Sequence, residues 1–295
     1  MFLFFTASTL SSCKKNSTLS MVEKSKVEKI SDNLVNSEIF ATSLDSIVNN
    51  TIMIFSEVNK VGGKKLLSDY ISLTKRNPSY LDLKKFYVDN NLDDEKLLSL
   101  HARNLANVLV IMQKHPELSS EDASTQADVF YNISANLRSD QDFSGTKIQK
   151  LVGKRVNLFK QNNQEISLRA SGEPTTPDPN PSGPVGDMTW QTVGACALNA
   201  VGGAIAGSFK LFKQLHSVIT GYNLGYSAVV NVATSAFRTF AGSNAAGMAI
   251  TFGVCIAAEY LFGDNEVPIP PTDTLEWALP GDTGDLFEGG ELDIN

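Results

Sequence analysis

Five prolines stand within seventeen residues of one another, Pro174, Pro177, Pro179, Pro181 and Pro184, with Gly and Ser between them. Proline fixes φ and removes an amide donor, so neither a helix nor a central strand can run through this stretch. Residues 171–187 therefore read as a semi-extended, Pro-rich linker. At about 3.1 Å per residue it could span roughly 50 Å. The chain is thereby divided, and its two sides differ sharply in composition.

On the amino side, residues 21–170 carry the three-and-four spacing of helices with one apolar face. Ile30, Leu34, Ala41, Leu44, Val48, Phe55 and Val58 form the first such face, which Gly62-Gly63 interrupts. Leu67, Tyr70, Ile71 and Thr74 continue into a shorter helix that Asn77-Pro78 ends, because the residue before a proline is pushed out of the helical region. Asp93 or Asp94 suits the N-cap of a helix bearing Leu97, Leu100, Leu105, Val108 and Met112, which stops near His115-Pro116. Ser120 is a candidate cap for the next, with Ala127, Phe130, Ile133 and Leu137. A last helix holds Ile148, Leu151, Val152, Val156 and Phe159. The pattern predicts an all-α fold whose amino-terminal part is a helical bundle.

On the carboxy side, residues 188–262 form a Gly/Ala-rich apolar helical module with Lys210, Lys213, Arg238 and Glu259 as its only formal charges. Three helical segments are predicted, about 189–218, 224–240 and 244–262. Gly203 and Gly207 stand four apart, as do Ala245 and Ala249, the spacing that lets helices touch closely. Gln191, Asn199 and Asn244 make the segments marginal as membrane spans and favour a tight hairpin buried against its neighbours. In texture the module resembles Gly/Ala-rich bacteriocin-like or pore-forming hairpins. Residues 263–295 hold nine acidic side chains and no Lys or Arg, so a disordered acidic tail is expected. Removing these nine from the 32 acidic residues leaves 23 against 25 basic ones. A near-neutral body has no basic stripe to neutralise phosphates, so nucleic acid is not an expected partner.

The first residues bear on address. Phe2, Leu3, Phe4 and Phe5 form an apolar run too short to span a bilayer, followed by Ala7 and Ser8 and then Leu10-Ser11-Ser12-Cys13. An aliphatic residue, two small residues and a cysteine resemble the lipobox of bacterial lipoproteins. Small side chains let a peptidase fit the backbone closely, and the Cys thiolate is nucleophilic enough to accept a lipid. The resemblance implies a signal peptide over 1–12, cleavage before Cys13, a lipid on its sulfur and a polar tether over 13–20. No Lys or Arg precedes Cys13, a departure from the basic start usual in signal peptides. The partners expected from this reading are a membrane, reached through the lipid anchor, and an envelope protein. The expected location is the cell envelope.

Export would place the remaining cysteines, Cys196 and Cys255, in an oxidising compartment, where a disulfide between them is expected. Their loop holds 60 residues (255 − 196 + 1), and the chain-entropy account gives roughly 4 kcal/mol of stabilisation.

Signatures of chemistry are sparse. His101, His115 and His216 are the only histidines, and none lies in a zinc-binding arrangement. His101 reads as a hydrogen-bonded core imidazole, His115 as a helix end, and His216 as a cation near a helix C-terminus. Gly62-Gly63-Lys64-Lys65 lacks the spacing of a phosphate-binding loop, and Asp93-Asp94-Glu95 is an acidic helix start. Trp190 and Trp277 flank the apolar module. No catalytic, cofactor or metal site is assigned, and the expected function is a non-enzymatic binding or structural role at the envelope. Two alternatives stand beside it: a membrane-active helical module, and an enzyme with an unfamiliar site in the amino-terminal domain, where His101 or His115 would meet a carboxylate in an open cleft.

Overall fold

A computed structural model describes residues 26–74, 78–139, 147–158 and 189–240. Among them every regular element is a helix and there is no strand, as the periodicity predicts. The lipobox, the Pro-rich linker, Cys255, the third apolar segment, Trp277 and the acidic tail lie outside the described residues.

The helices are α1 (26–35), α2 (Glu38–Thr74), α3 (Tyr80–Asp89), α4 (Asp94–Lys114), α5 (Pro116–Ser119), α6 (Ala123–Ser139), α7 (147–158), α8 (Trp190–Gly207), α9 (Phe209–Gly221) and α10 (Tyr226–Phe240). The apolar faces predicted for the amino-terminal helices are the buried ones: Leu34, Leu44, Val48, Leu105 and Ile133 are all fully enclosed. Gly63 interrupts α2 with φ 60 and ψ −157, a conformation that favours glycine. Asp93 caps α4 by accepting from the Lys96 amide at 2.9 Å. Ser120 does not cap α6; it closes α5. Asp122 takes the capping role, accepting from the Thr125 amide at 2.8 Å, because the short turn over Pro116–Ser119 uses up the residues before it.

Helix α4 lies at the centre. It is buried on several faces, from Leu97 through Met112, by α2 on one side and by α10, α3 and α9 on others. A helix enclosed this widely must also bury polar side chains, and each finds a partner across the packing. Asn104 accepts from Asn50 Nδ2 at 3.0 Å and donates to Thr51 Oγ1 at 3.1 Å, tying α4 to α2. Gln113 Nε2 reaches the carbonyls of Ile219 and Leu224, at 3.3 and 3.2 Å, and ties α4 to the α9–α10 turn.

The Gly/Ala-rich stretch, set apart by composition, is part of the same core. Helix α8 packs along α6 and touches α2, burying Val193, Cys196, Leu198, Val201 and Ile205. Its glycines are there for proximity: a Cβ on Gly202 would stand 3.0 Å from Tyr131 Cε1 and 3.2 Å from the Ala127 carbonyl oxygen. The close approach thus falls at Gly202, one residue from the Gly203–Gly207 pair singled out by spacing. The predicted 189–218 helix is in fact two, α8 and α9, bent by 93° at Ser208. No single described helix is long and apolar enough to cross a membrane; only this bent pair passes by composition and length.

Candidate functional site

Two constellations among the described residues centre on a histidine that meets polar groups of another helix or turn. The first is sealed. Tyr87 Oη lies 2.8 Å from His101 Nε2 and donates to Tyr70 Oη at 3.1 Å, while Tyr70 Oη stands 3.3 Å from the same nitrogen. Phe237 stacks on the imidazole with ring centres 5.7 Å apart. All three polar residues are about 1% exposed or less. Burial holds His101 down to about 4, so the ring is neutral, and raises the Tyr87 hydroxyl well above an ordinary phenol. His101 Nδ1 has no hydrogen-bond partner among the described residues. With no opening to solvent, this cluster is structural, as the sequence reading of His101 has it.

The second lies at the surface, where the α1–α2 turn meets the α4–α5 turn. Ser37 precedes α2; its amide donates to the Leu34 carbonyl at 2.9 Å, and its Oγ accepts from the Phe40 amide at 3.3 Å. His115 ends α4, held by its amide on the Ile111 carbonyl at 3.0 Å, and its own carbonyl starts α5. Pro116 at the first position of α5 fixes that turn. Both backbones are therefore set by helix ends, and their side chains meet: His115 Nε2 lies 2.9 Å from Ser37 Oγ. On the other edge of the ring, His115 Nδ1 lies 3.0 Å from Glu117 Oε1. A carboxylate only accepts, so this contact puts the neutral ring's proton on Nδ1 and leaves Nε2 free to accept from the serine. Partial desolvation raises the Glu117 carboxyl, but bonds from its own amide and from His115 outweigh this and lower it.

Ser37 also opens onto a groove of about 740 Å³ along the first turns of α2. Ile39, Thr42 and Ser46 form one wall, and Asn107, Val110 and Tyr226 the other. Within that second wall Tyr226 Oη donates to Asn107 Oδ1 at 3.5 Å. Ile39 and Tyr226 are 41% and 51% exposed, so the groove offers apolar surface beside hydroxyl and amide groups. A concavity that mixes apolar and polar lining can receive a small molecule.

The remaining expected site residues fall as follows. Cys196 is fully buried on α8, while Cys13 and Cys255 lie outside the described residues. His216 sits on α9 with Nε2 3.2 Å from Thr220 Oγ1. Among the described residues no three of His, Cys, Asp and Glu converge as a metal site would require. The Ser37–His115 pair went unseen in the sequence because 78 residues separate its members. The one local signal was a carboxylate two residues after His115. No family model, curated protein or solved structure matches this chain.

Proposed function

We propose that the protein is an exported lipoprotein, anchored through Cys13, whose helical body binds a small amphipathic ligand at the envelope. The observation that carries the binding role is the groove between α2 and α4, where apolar side chains and hydroxyl groups share one concavity. The address rests on Leu10-Ser11-Ser12-Cys13, and a Cys196–Cys255 cross-link belongs to the same reading, since an oxidising compartment would form it.

The binding role is tested by ligand-observed NMR with a neutral fragment set. Ser46→Trp places an indole in the groove and is expected to abolish binding of the fragments that the unmodified protein takes up. Hits that all survive Ser46→Trp remove the groove as the site. The address is tested by intact mass. The mature chain is expected to begin at a diacylglyceryl-modified Cys13, to lose that lipid in Cys13→Ser, and to gain two hydrogens on reduction. A chain that retains Met1 and carries no acyl group refutes the anchoring.

The membrane-active alternative would require α8 to leave its place against α6, exposing a face that is now enclosed. That unpacking argues for the binding role.

A further inference from the structure

We propose that Ser37, His115 and Glu117 form a hydrolytic triad that cleaves a neutral carboxylic ester held in the α2–α4 groove. The inference rests on the reading of that groove as a ligand site and adds a reaction to it.

Three observations carry it together. The order of contacts is that of a nucleophile, a base and an orienting carboxylate, at 2.9 and 3.0 Å, within the reach such a relay needs. The base is shielded while the nucleophile is open: the His115 side chain is 10% exposed, whereas Ser37 lines the groove. An imidazole kept from bulk water but bonded on both nitrogens is held in one orientation. Finally, Ser37 immediately precedes the first turn of α2. The amides of Glu38 and Ile39, in the first turn, have no preceding helical carbonyl to bond and carry the positive end of the helix dipole. The Phe40 amide of the same turn already bonds Ser37 Oγ at 3.3 Å, and charge developing on an acyl oxygen at Ser37 would arise beside this amide end of the helix.

The chemistry follows. The Ser37 hydroxyl adds to the ester carbon while its proton passes to His115 Nε2. The carbon–oxygen bond to the alcohol breaks, and the alcohol leaves with that proton. Water then adds to the acyl-serine, giving its proton to His115 Nε2; the serine oxygen takes the proton back, and a carboxylic acid departs. No other co-reactant is needed. Ser37 and His115 touch the reacting atoms, and Glu117 is a positioning residue that acts through the imidazole. The substrate class comes from the groove. Glu38 on its rim disfavours an anionic ester, while Ile39, Val110 and Tyr226 suit a short acyl chain.

The full chain is treated with a fluorophosphonate and, separately, with p-nitrophenyl butyrate. The expected result is a single phosphonyl adduct that peptide mapping places on Ser37, absent in Ser37→Ala. In His115→Gln labelling should slow by about a hundredfold or more, the usual worth of a positioned base. Since His115 is enclosed and that variant could unfold, Glu117→Gln is the second probe; its side chain is 36% exposed. It should lower kcat for the butyrate ester and leave KM unchanged. An adduct on another residue, no adduct at all, or wild-type turnover in Glu117→Gln overturns the triad. Fragment binding that Ser46→Trp abolishes, with no Ser37 adduct, would leave the groove reading standing and the hydrolysis refuted. A Ser37 adduct with fragment binding indifferent to Ser46→Trp refutes instead the groove and the substrate class drawn from it.

Discussion

Replacing Gly202 with leucine should lower the melting temperature by roughly 6–12 °C, whereas the same experiment on its neighbour, Gly203→Ala, should raise it. The first figure comes from overpacking at the α6–α8 seam. Even a bare Cβ at 202 would meet Tyr131 Cε1 at 3.0 Å, and Phe130 Cβ and the Ala127 carbonyl at 3.2 Å. Tyr131 is half-exposed and can turn aside, but a helix carbonyl cannot. A leucine must therefore push the helices apart, at about 3 kcal/mol, and each kcal/mol moves a chain of this size by about 2–4 °C. At Gly203 the nearest atom to an added Cβ is Tyr131 Oη at 3.7 Å, an ordinary contact. Alanine there gains about 1 kcal/mol of helix propensity with little steric opposition. Calorimetry of both variants checks the pair. Equal destabilisation at 202 and 203 would mean that α8 does not present this face to α6.

The second large effect is acid lability from His101. Its folded-state value is lowered from 6.5 to about 4, by burial. Below pH 6.5 the unfolded chain takes up a proton that the folded chain refuses, so stability is complete above that pH. It falls continuously as pH drops and has lost its full share once the pH passes below about 4. At 1.36 kcal/mol per unit this share is about 3 kcal/mol. His216 is lowered in the same direction, chiefly by burial. The depressed carboxyls of Asp82, Glu117 and Asp122 act at still lower pH. A difference measurement isolates His101. Urea titrations of wild type and His101→Gln between pH 7 and 4 should converge, the variant less stable at neutrality and losing much less on acidification. Parallel curves would show that the imidazole is hydrated in the folded state.

The two effects sit on opposite sides of what the sequence made legible. The helical faces of the amino-terminal half could be read directly, because Ile30, Leu34, Leu44 and their successors repeat at a single period that burial then honours. Gly63 and Asp93 act where their local chemistry says they should. The role of the α8 glycines was ambiguous in sequence, since small residues serve close packing in lipid and in a protein core alike; the Ala127 carbonyl beside Gly202 shows what one of them approaches. The prolines suggest a division of the chain, yet composition does not reveal whether two unlike halves share a core. The Ser37–His115 pairing was invisible, because nothing in a linear pattern brings one helix start beside another helix end 78 residues away. Local rules carry the elements, and long-range juxtaposition carries the site.

The seating of α8 on α6 and of α10 on α4 has a consequence for the covalent path between them. The two portions of the chain adhere through enclosed side chains on both seams, so their association does not depend on the backbone that joins them. A single backbone cut between α7 and α8 should therefore leave the two pieces clasped as one particle, much as a hinge pin can be drawn from a door already wedged in its frame.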